Sequence, residues 1–144
     1  MKLSSFADLL AARGLQLLPG SAAVPVELLV RLPDRTVAHF TARGTTLRLR
    51  LFAEHALAHV VIAPECGCAD HHPQIGPDRL VVGAHAIPLA EREINGKLAF
   101  GWHHHEAGLL RLADAIPHFF TLLAAPQPAP AAPAADTRTL VSIG

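Results

Sequence analysis

The sequence predicts an α+β fold, in which a short N-terminal helix and a kinked C-terminal helix pack against an antiparallel sheet of about five to seven strands. Three observations predict it. Apolar residues recur at helical spacing near both ends of the region 1–124, and between them, over 24–100, they alternate every second residue. The 144 residues are 51% apolar and 17% charged, which suits one domain with a substantial core and excludes disorder throughout.

The N-terminal helix is predicted from its capping residues and its apolar face. Ser5 and Asp8 have the spacing of a capping box, and Gly14 suits a helix terminator. The apolar residues that share one face are Phe6, Leu9 and Leu10. A turn at 17–20 is expected to lead from this helix into the sheet.

The strands are predicted from two-residue alternation between turn residues. The predicted strands are 26–32, 36–41, 45–52, 56–63 and 80–87. The strand over 45–52 has the clearest pattern, because three leucines, Leu47, Leu49 and Leu51, alternate with Arg48 and Arg50. One buried and one solvated face is typical of an antiparallel sheet.

Two parts of the predicted sheet need a choice between alternatives. Residues 56–63 fit a strand, and a helix through His55 and His59 is the alternative; the β-branched run 60–62 favours the strand. The dipeptide Asn95-Gly96 predicts a tight hairpin between two short strands, since both residues tolerate positive φ. The segment 64–78 is predicted to be a long irregular loop.

The C-terminal helix is predicted over 106–123 from one apolar stripe: Leu109, Leu112, Ala113, Ile116, Phe120 and Leu123. Pro117 is expected to kink or split this helix, because proline has no N–H to donate. Phe119 and Leu122 lie outside the stripe, so the helix is apolar over more than one face. Either the sheet and its loops cover this excess of apolar surface, or a second copy of the chain does. Together with the low fraction of charged residues, it predicts self-association as a homodimer.

After the predicted single domain, 1–124, the composition changes to alternating proline and alanine. Residues 125–144 are therefore predicted to form a disordered, extended linker and tail. The tail ends in an alternating apolar set, Leu140, Val141 and Ile143, which suits docking into a partner protein's groove or onto its sheet edge. A frayed terminus is the alternative interpretation.

A cluster of cysteine and histidine residues predicts a metal site. The candidate ligands are Cys66, Cys68, His71, His72, His103 and His105. Thiolate and imidazole are the donors that Zn²⁺ and similar transition metals prefer, and Gly67 lets the two sulfur atoms turn to one side. A solvated polar loop and a redox or nucleophilic thiol are the alternatives. His55 and His59 form a weaker candidate pair of ligands.

The remaining patterns limit compartment and partners. Positive and negative side chains number 12 each, and the basic stripe of Arg43, Arg48 and Arg50 has too few aromatic neighbours for a nucleic-acid platform. No stretch has the features of a signal peptide or the roughly 18 apolar residues of a membrane span, so a cytoplasmic location is expected.

The sequence therefore predicts a small accessory protein with a zinc or other transition-metal site, acting as a carrier, a sensor or a metal-stabilised module. The alternative is an adaptor or assembly factor that docks a protein partner through its tail and associates with itself through its folded body. An enzyme is less favoured, because no catalytic motif is recognisable, and neither nucleic acid nor a membrane is expected as a partner.

Overall fold

A six-stranded antiparallel sheet is the centre of the computed structural model, which describes residues 1–61 and 78–125. Its strands are β1 (Gln16–Leu17), β2 (Ala22–Ala23), β3 (Val26–Arg31), β4 (Val37–Arg43), β5 (Thr46–Phe52) and β8 (Ala90–Asn95). They lie in the order β1-β3-β4-β5-β8, with β2 also paired to β3. A separate antiparallel pair is formed by β6 (Leu57–Val61) and β7 (Asp78–Val82).

Three α-helices accompany the sheet: α1 (Leu3–Ala11), α2 (Gly96–Phe100) and α3 (Leu112–Ala124). Short 3₁₀ turns occur at Glu54–Ala56 and Ala107–Leu109. The predicted α+β fold, with a helix at each end of an antiparallel sheet, is confirmed. Among the described residues, no helix combines the length and the apolar character required to cross a bilayer.

One face of the sheet, here called the helix face, is covered by α1 and α3. Alternate residues of the three central strands point to it and are buried, including Leu28, Phe40 and Leu49. Phe119 of α3 makes edge-to-face contacts with Phe6 of α1 and with Phe40, at centroid distances of 6.1 and 5.8 Å. These aromatic rings join both helices to the sheet.

The opposite face, here called the outer face, is partly covered by the β6–β7 pair. Its own small apolar cluster consists of Leu18, Leu29, Val37 and Leu80. Glu54 fixes the entry to β6, since its carboxylate lies 2.7 Å from Arg31 Nε and 2.7 Å from the Arg35 guanidinium. β4 is therefore covered on both sides, and Val37 to Phe40 are all buried.

The prediction of a capping box was wrong. α1 begins at Leu3, two residues before Ser5, and its N-cap residue Lys2 makes no side-chain capping bond. Phe6 and Leu10 are buried as predicted, and Gly14 follows the helix with φ of +75°. Burial of the two apolar residues therefore positions this helix more than its polar cap does.

The Asn95-Gly96 dipeptide begins a helix, and the predicted hairpin at this position was wrong. The Asn95 side chain accepts a hydrogen bond from Lys97 N at 3.0 Å and caps α2. Gly96 is buried, and a Cβ atom there would overlap the Trp102 ring and the carbonyl oxygen of Thr45. The glycine is needed for this close approach, because φ at Gly96 is not positive.

The C-terminal helix is shorter than predicted and buries a different face. Its buried residues are Leu112, Ala115, Ile116, Phe119 and Leu122. Ala113 and Leu109 are exposed, while Phe120 and Leu123 are half-buried against the same core. Pro117 does not split the helix, which continues as one element to Ala124. The end of α3 is capped by Arg92, whose Nη1 donates to the carbonyls of Leu122 and Leu123.

We expect Phe119→Ala to destabilise the fold by about 3–5 kcal/mol, because it removes a fully buried ring from between two others. Urea unfolding monitored by circular dichroism measures the change. Leu98→Ala, at a side chain that is 86% exposed, is the matched control and should change stability by less than about 0.5 kcal/mol. Equal unfolding midpoints for the two variants would contradict this description of the core.

Candidate functional site

A cleft of about 310 Å³ lies on the outer face, between the main sheet and the strand β7. Its sheet side is formed by Glu27, His39, Arg50 and two apolar residues, and its other side by Leu80 and the backbone that follows, up to Ala86. The apolar residues of the sheet side are Leu29 and Phe52, both buried. Charged side chains therefore line the cleft next to buried apolar residues.

Gly20 allows β7 to approach the main sheet this closely. Its φ is +99°, a backbone conformation that favours glycine, and a Cβ atom at this position would overlap the carbonyl oxygen of Leu80. Leu80 packs against Leu29 and Val37 in the outer apolar cluster. The cleft thus depends on one glycine and three aliphatic side chains that hold β7 over the sheet.

His39 is the one polar residue among those buried in the described part of the chain, with 8% of its surface exposed. Its Nε2 lies 2.8 Å from Glu27 Oε2, and its Nδ1 lies 3.5 Å from an Arg50 Nη2. Burial lowers the pKa of His39, and the Glu27 carboxylate opposes this shift without cancelling it. The ring is therefore neutral at pH 7, with Nε2–H donating to Glu27 and Nδ1 accepting from Arg50.

The arginines of the outer face are not equally paired. Arg48 lies 3.4 Å from Glu91 and 3.3 Å from Glu93, and Arg43 lies 3.4 Å from Glu27. Arg50 stands opposite Glu91 in the β5–β8 register, yet the Glu91 carboxylate turns to Arg48. Within residues 1–61 and 78–125, no carboxylate lies within 4 Å of the Arg50 guanidinium.

The Arg50 guanidinium is held in place by neutral groups. Its carbon lies 5.5 Å from the centroid of the Phe52 ring, within the range of a cation–π contact. Its Nη2 faces His39 Nδ1. A guanidinium has five N–H donors, and among the described residues His39 is the one hydrogen-bond acceptor for Arg50. The site is chemically suited to hold an anionic group.

The predicted metal ligands are only partly within the described residues. Cys66, Cys68, His71 and His72 lie outside them. His103 and His105 are exposed in the segment before the 3₁₀ turn Ala107–Leu109. The residues described contain no cluster of three or more histidine, cysteine or acidic side chains able to hold a metal ion.

The Glu106 carboxylate organises the histidine run. It accepts backbone hydrogen bonds from His103 at 3.3 Å and His104 at 2.8 Å, and its Oε2 lies 3.3 Å from His103 Nδ1. The bond from the His104 backbone is the main cause that lowers the pKa of Glu106. With Nδ1 next to this carboxylate, His103 Nε2 is left available to a further ligand.

The two halves of the predicted metal site are attached to opposite faces of the sheet. The histidine run leads into Ala107, which is part of the helix-face core and donates to the Gly44 carbonyl at 2.9 Å. Segment 62–77, which contains both cysteines, is flanked by β6 and β7 on the outer face.

The other predicted functional residues also lie partly inside and partly outside the described part of the chain. The tail residues Leu140, Val141 and Ile143 lie outside the described residues. The basic stripe is present on the outer face, where glutamates from the neighbouring strands balance most of its charge. The sequence analysis assigned no role to His39, because only the strand register shows that Glu27, His39 and Arg50 meet.

We expect the free energy of unfolding to decrease as the pH falls below about 6.5, the ordinary pKa of histidine. In this range the unfolded chain takes up a proton that the buried His39 ring binds less readily, so protonation favours unfolding. The decrease should level off below the lowered pKa of the folded state. Urea unfolding between pH 5 and pH 8 measures it, above the range in which carboxylates titrate.

His39→Gln should remove this part of the pH dependence. His55→Gln, at an exposed histidine, is the matched control and should leave the dependence unchanged. Parallel stability curves for the wild type and His39→Gln over pH 5–8 would contradict the neutral, buried state of His39.

Comparison with known proteins adds no family to this description: no protein-family model, curated protein or solved structure matches the chain. Because one fold supports many unrelated functions, the chemistry of individual residues is the proper basis for a functional conclusion.

Proposed function

We propose that this protein is a small binding protein that holds a small molecule in the cleft beneath β7. The observation that carries the proposal is the chain of contacts from Glu27 through His39 to Arg50 in the lining of this cleft. Ligand sites are typically apolar cavities with a few converging polar groups. At about 310 Å³, the cleft suits a ligand at the small end of the usual range.

Stability alone gives little reason for charged groups at this position. Burying a polar side chain costs free energy, and well-packed apolar residues of similar volume are often equally or more stabilising. Val37 and Phe52, neighbours on the same face, show that apolar residues are accommodated next to this site. A binding role gives the His39 and Arg50 side chains a reason to be there.

Binding is better supported than catalysis. Both ring nitrogens of His39 have partners, so the ring has no free nitrogen with which to move a proton to or from a ligand. Among the described residues that line the cleft, none is a serine, threonine, cysteine or lysine that might act as a nucleophile. The lining supplies hydrogen-bond donors, charge and apolar contact, which are the requirements of a binding site.

We expect small fragments to shift the backbone amide resonances of Leu80, Gly83 and Ala86 in two-dimensional NMR spectra of the full chain. Ala84→Phe, at the rim of the cleft, should weaken this binding by at least about tenfold, or ~1.4 kcal/mol, because the added ring occupies the ligand's space. Ala113→Phe places the same ring on an exposed position of α3 and is the matched control. Fragments that shift none of the three amides would refute the cleft as the binding site.

A second candidate function is the metal-binding accessory role predicted from the cysteine and histidine cluster. The arrangement of Glu106 supports it, because a carboxylate beside Nδ1 of a histidine is the usual way of orienting a metal-binding ring. The ligands would come from Cys66, Cys68, one of His71 and His72, and one of His103 and His105, with Zn²⁺ as the first choice.

Elemental analysis of the untagged protein tests this second function. We expect about one equivalent of zinc or another transition metal, lost in a Cys66→Ser, Cys68→Ser double variant. His85→Gln, at an exposed histidine outside the proposed set, is the control and should retain the metal. Substoichiometric metal that the cysteine substitutions leave unchanged would exclude this role.

The adaptor function, the cytoplasmic location and the homodimer stay predictions. Exposed apolar side chains at Leu98, Phe100 and Leu109 are available to a partner protein. The homodimer was predicted from the second apolar face of α3. This face is partly covered within the chain, because Phe120 packs against Phe6 and lies under the Arg13 guanidinium. The adaptor function predicts that deletion of residues 136–144 abolishes one partner interaction in a pull-down and leaves the fold intact. The homodimer is tested by light scattering, in which a monomer at micromolar concentration would contradict it.

A further inference from the structure

We propose that the ligand of the outer-face cleft is a small monocarboxylate, with its carboxylate on the Arg50 guanidinium and its apolar body against Val82 and Ala86. This inference rests on the proposed binding function and adds the chemical class of the ligand. It follows from the distribution of charge on the outer face, from the way Arg50 is held, and from the shape of the cleft.

The first step is the charge balance of the outer face. The Glu27 carboxylate is shared by His39 and Arg43, and the Glu54 carboxylate by Arg31 and Arg35. Arg48 forms ion pairs with both Glu91 and Glu93. Arg50 is therefore the one outer-face arginine with no carboxylate within 4 Å in the described part of the chain; the others are Arg31, Arg43 and Arg48. Arg50 also lines the cleft.

The second step is the preorganisation of the guanidinium. Phe52 lies beside it, and the neutral His39 ring faces one of its nitrogens, so Arg50 is positioned before any ligand arrives. A carboxylate matches a guanidinium with two parallel N–H···O bonds.

The third step limits the ligand to a single negative charge. Glu27 lines the same cleft and repels anions, while Arg50 supplies the one cation without a carboxylate among the described lining residues. A phosphate monoester would bring close to two negative charges at pH 7. A carboxylate brings one, which Arg50 balances.

The fourth step concerns the ligand's body. Leu29 and Phe52 are almost fully covered within the chain, so the apolar surface left in the cleft is that of partly exposed residues such as Val82 and Ala86. The cleft volume of about 310 Å³ is small. A short aliphatic or single-ring carboxylic acid meets both conditions: the acid group contacts Arg50 and the small hydrocarbon part displaces water from Val82 and Ala86.

Matched pairs of acid and amide test the proposal on the full chain. Hexanoate and benzoate are the acid probes, hexanamide and benzamide their neutral counterparts, and the readout is the shift of the Leu80 and Gly83 amide resonances with concentration. We expect each acid to bind roughly 10- to 100-fold more tightly than its amide, as the loss of a charge-assisted hydrogen-bonded pair implies. Methyl phosphate should bind no more tightly than the acids.

Variants of Arg50 and Arg48 test whether Arg50 is the residue that binds the carboxylate. Arg50→Gln should weaken acid binding by the same 10- to 100-fold and leave amide binding unchanged. Arg50→Lys, which keeps the charge and loses the two-pronged geometry, should give an intermediate affinity and guards against misfolding of the first variant. Arg48→Gln removes an equal charge from the same face of the same strand, outside the cleft lining, and should bind acids as the wild type does.

Three outcomes would overturn the proposal in distinguishable ways. Acids and amides that bind the cleft equally well, with no effect of Arg50→Gln, would refute the carboxylate and leave the binding function intact. Absence of any shift with all four probes and with a wider fragment set would refute the binding function as well. Hexanoate binding that occurs only in a Glu65→Gln, Asp70→Asn double variant would show that a carboxylate of this chain, and not a free acid, is the partner of Arg50.

Discussion

Coverage of β4 on both sides is the constraint on which the rest of the structure depends. Phe40 faces the helices, and His39, the residue before it, faces β7. A strand buried on both faces normally carries an almost continuous apolar run, because a buried polar group needs hydrogen-bond partners. β4 carries one histidine in that run, and Glu27 and Arg50 from the two flanking strands supply the partners.

The unequal pairing of charges on the outer face follows from which arginine the glutamates of β8 contact. Arg48 reaches both glutamates of the edge strand β8, so Arg50 is left with neutral neighbours although the register places Glu91 opposite it. The same glutamates give β8 a charged edge, and charged edge strands resist pairing with a second sheet. Glu91 and Glu93 therefore disfavour pairing of β8 with a second sheet. Because both contact Arg48, they also leave Arg50 without a carboxylate partner among the described residues.

Local sequence patterns predicted much of the fold and failed where a tertiary contact outweighed them. The alternation in 45–52 correctly predicted the buried face with Leu47 and Leu49, because the pattern reflects burial directly. The other face was expected to be solvated, yet it is partly covered and Phe52 is buried there. Asn95-Gly96 has the residues of a hairpin turn, yet the packing of Trp102 on Gly96 made it the start of a helix. The stripe on α3 was misplaced by about one residue, because α1 and the sheet cover the helix from different sides.

The sequence by itself determined the class of fold, the order of its main elements and the clustering of cysteine and histidine, since these depend on periodicity and composition. Only the tertiary structure decided that Glu27, His39 and Arg50 form one site. Their meeting depends on strand register and on the positive φ of Gly20, which admits β7 above them. Register and close approach are set by contacts between residues distant along the chain, and no local pattern encodes such contacts.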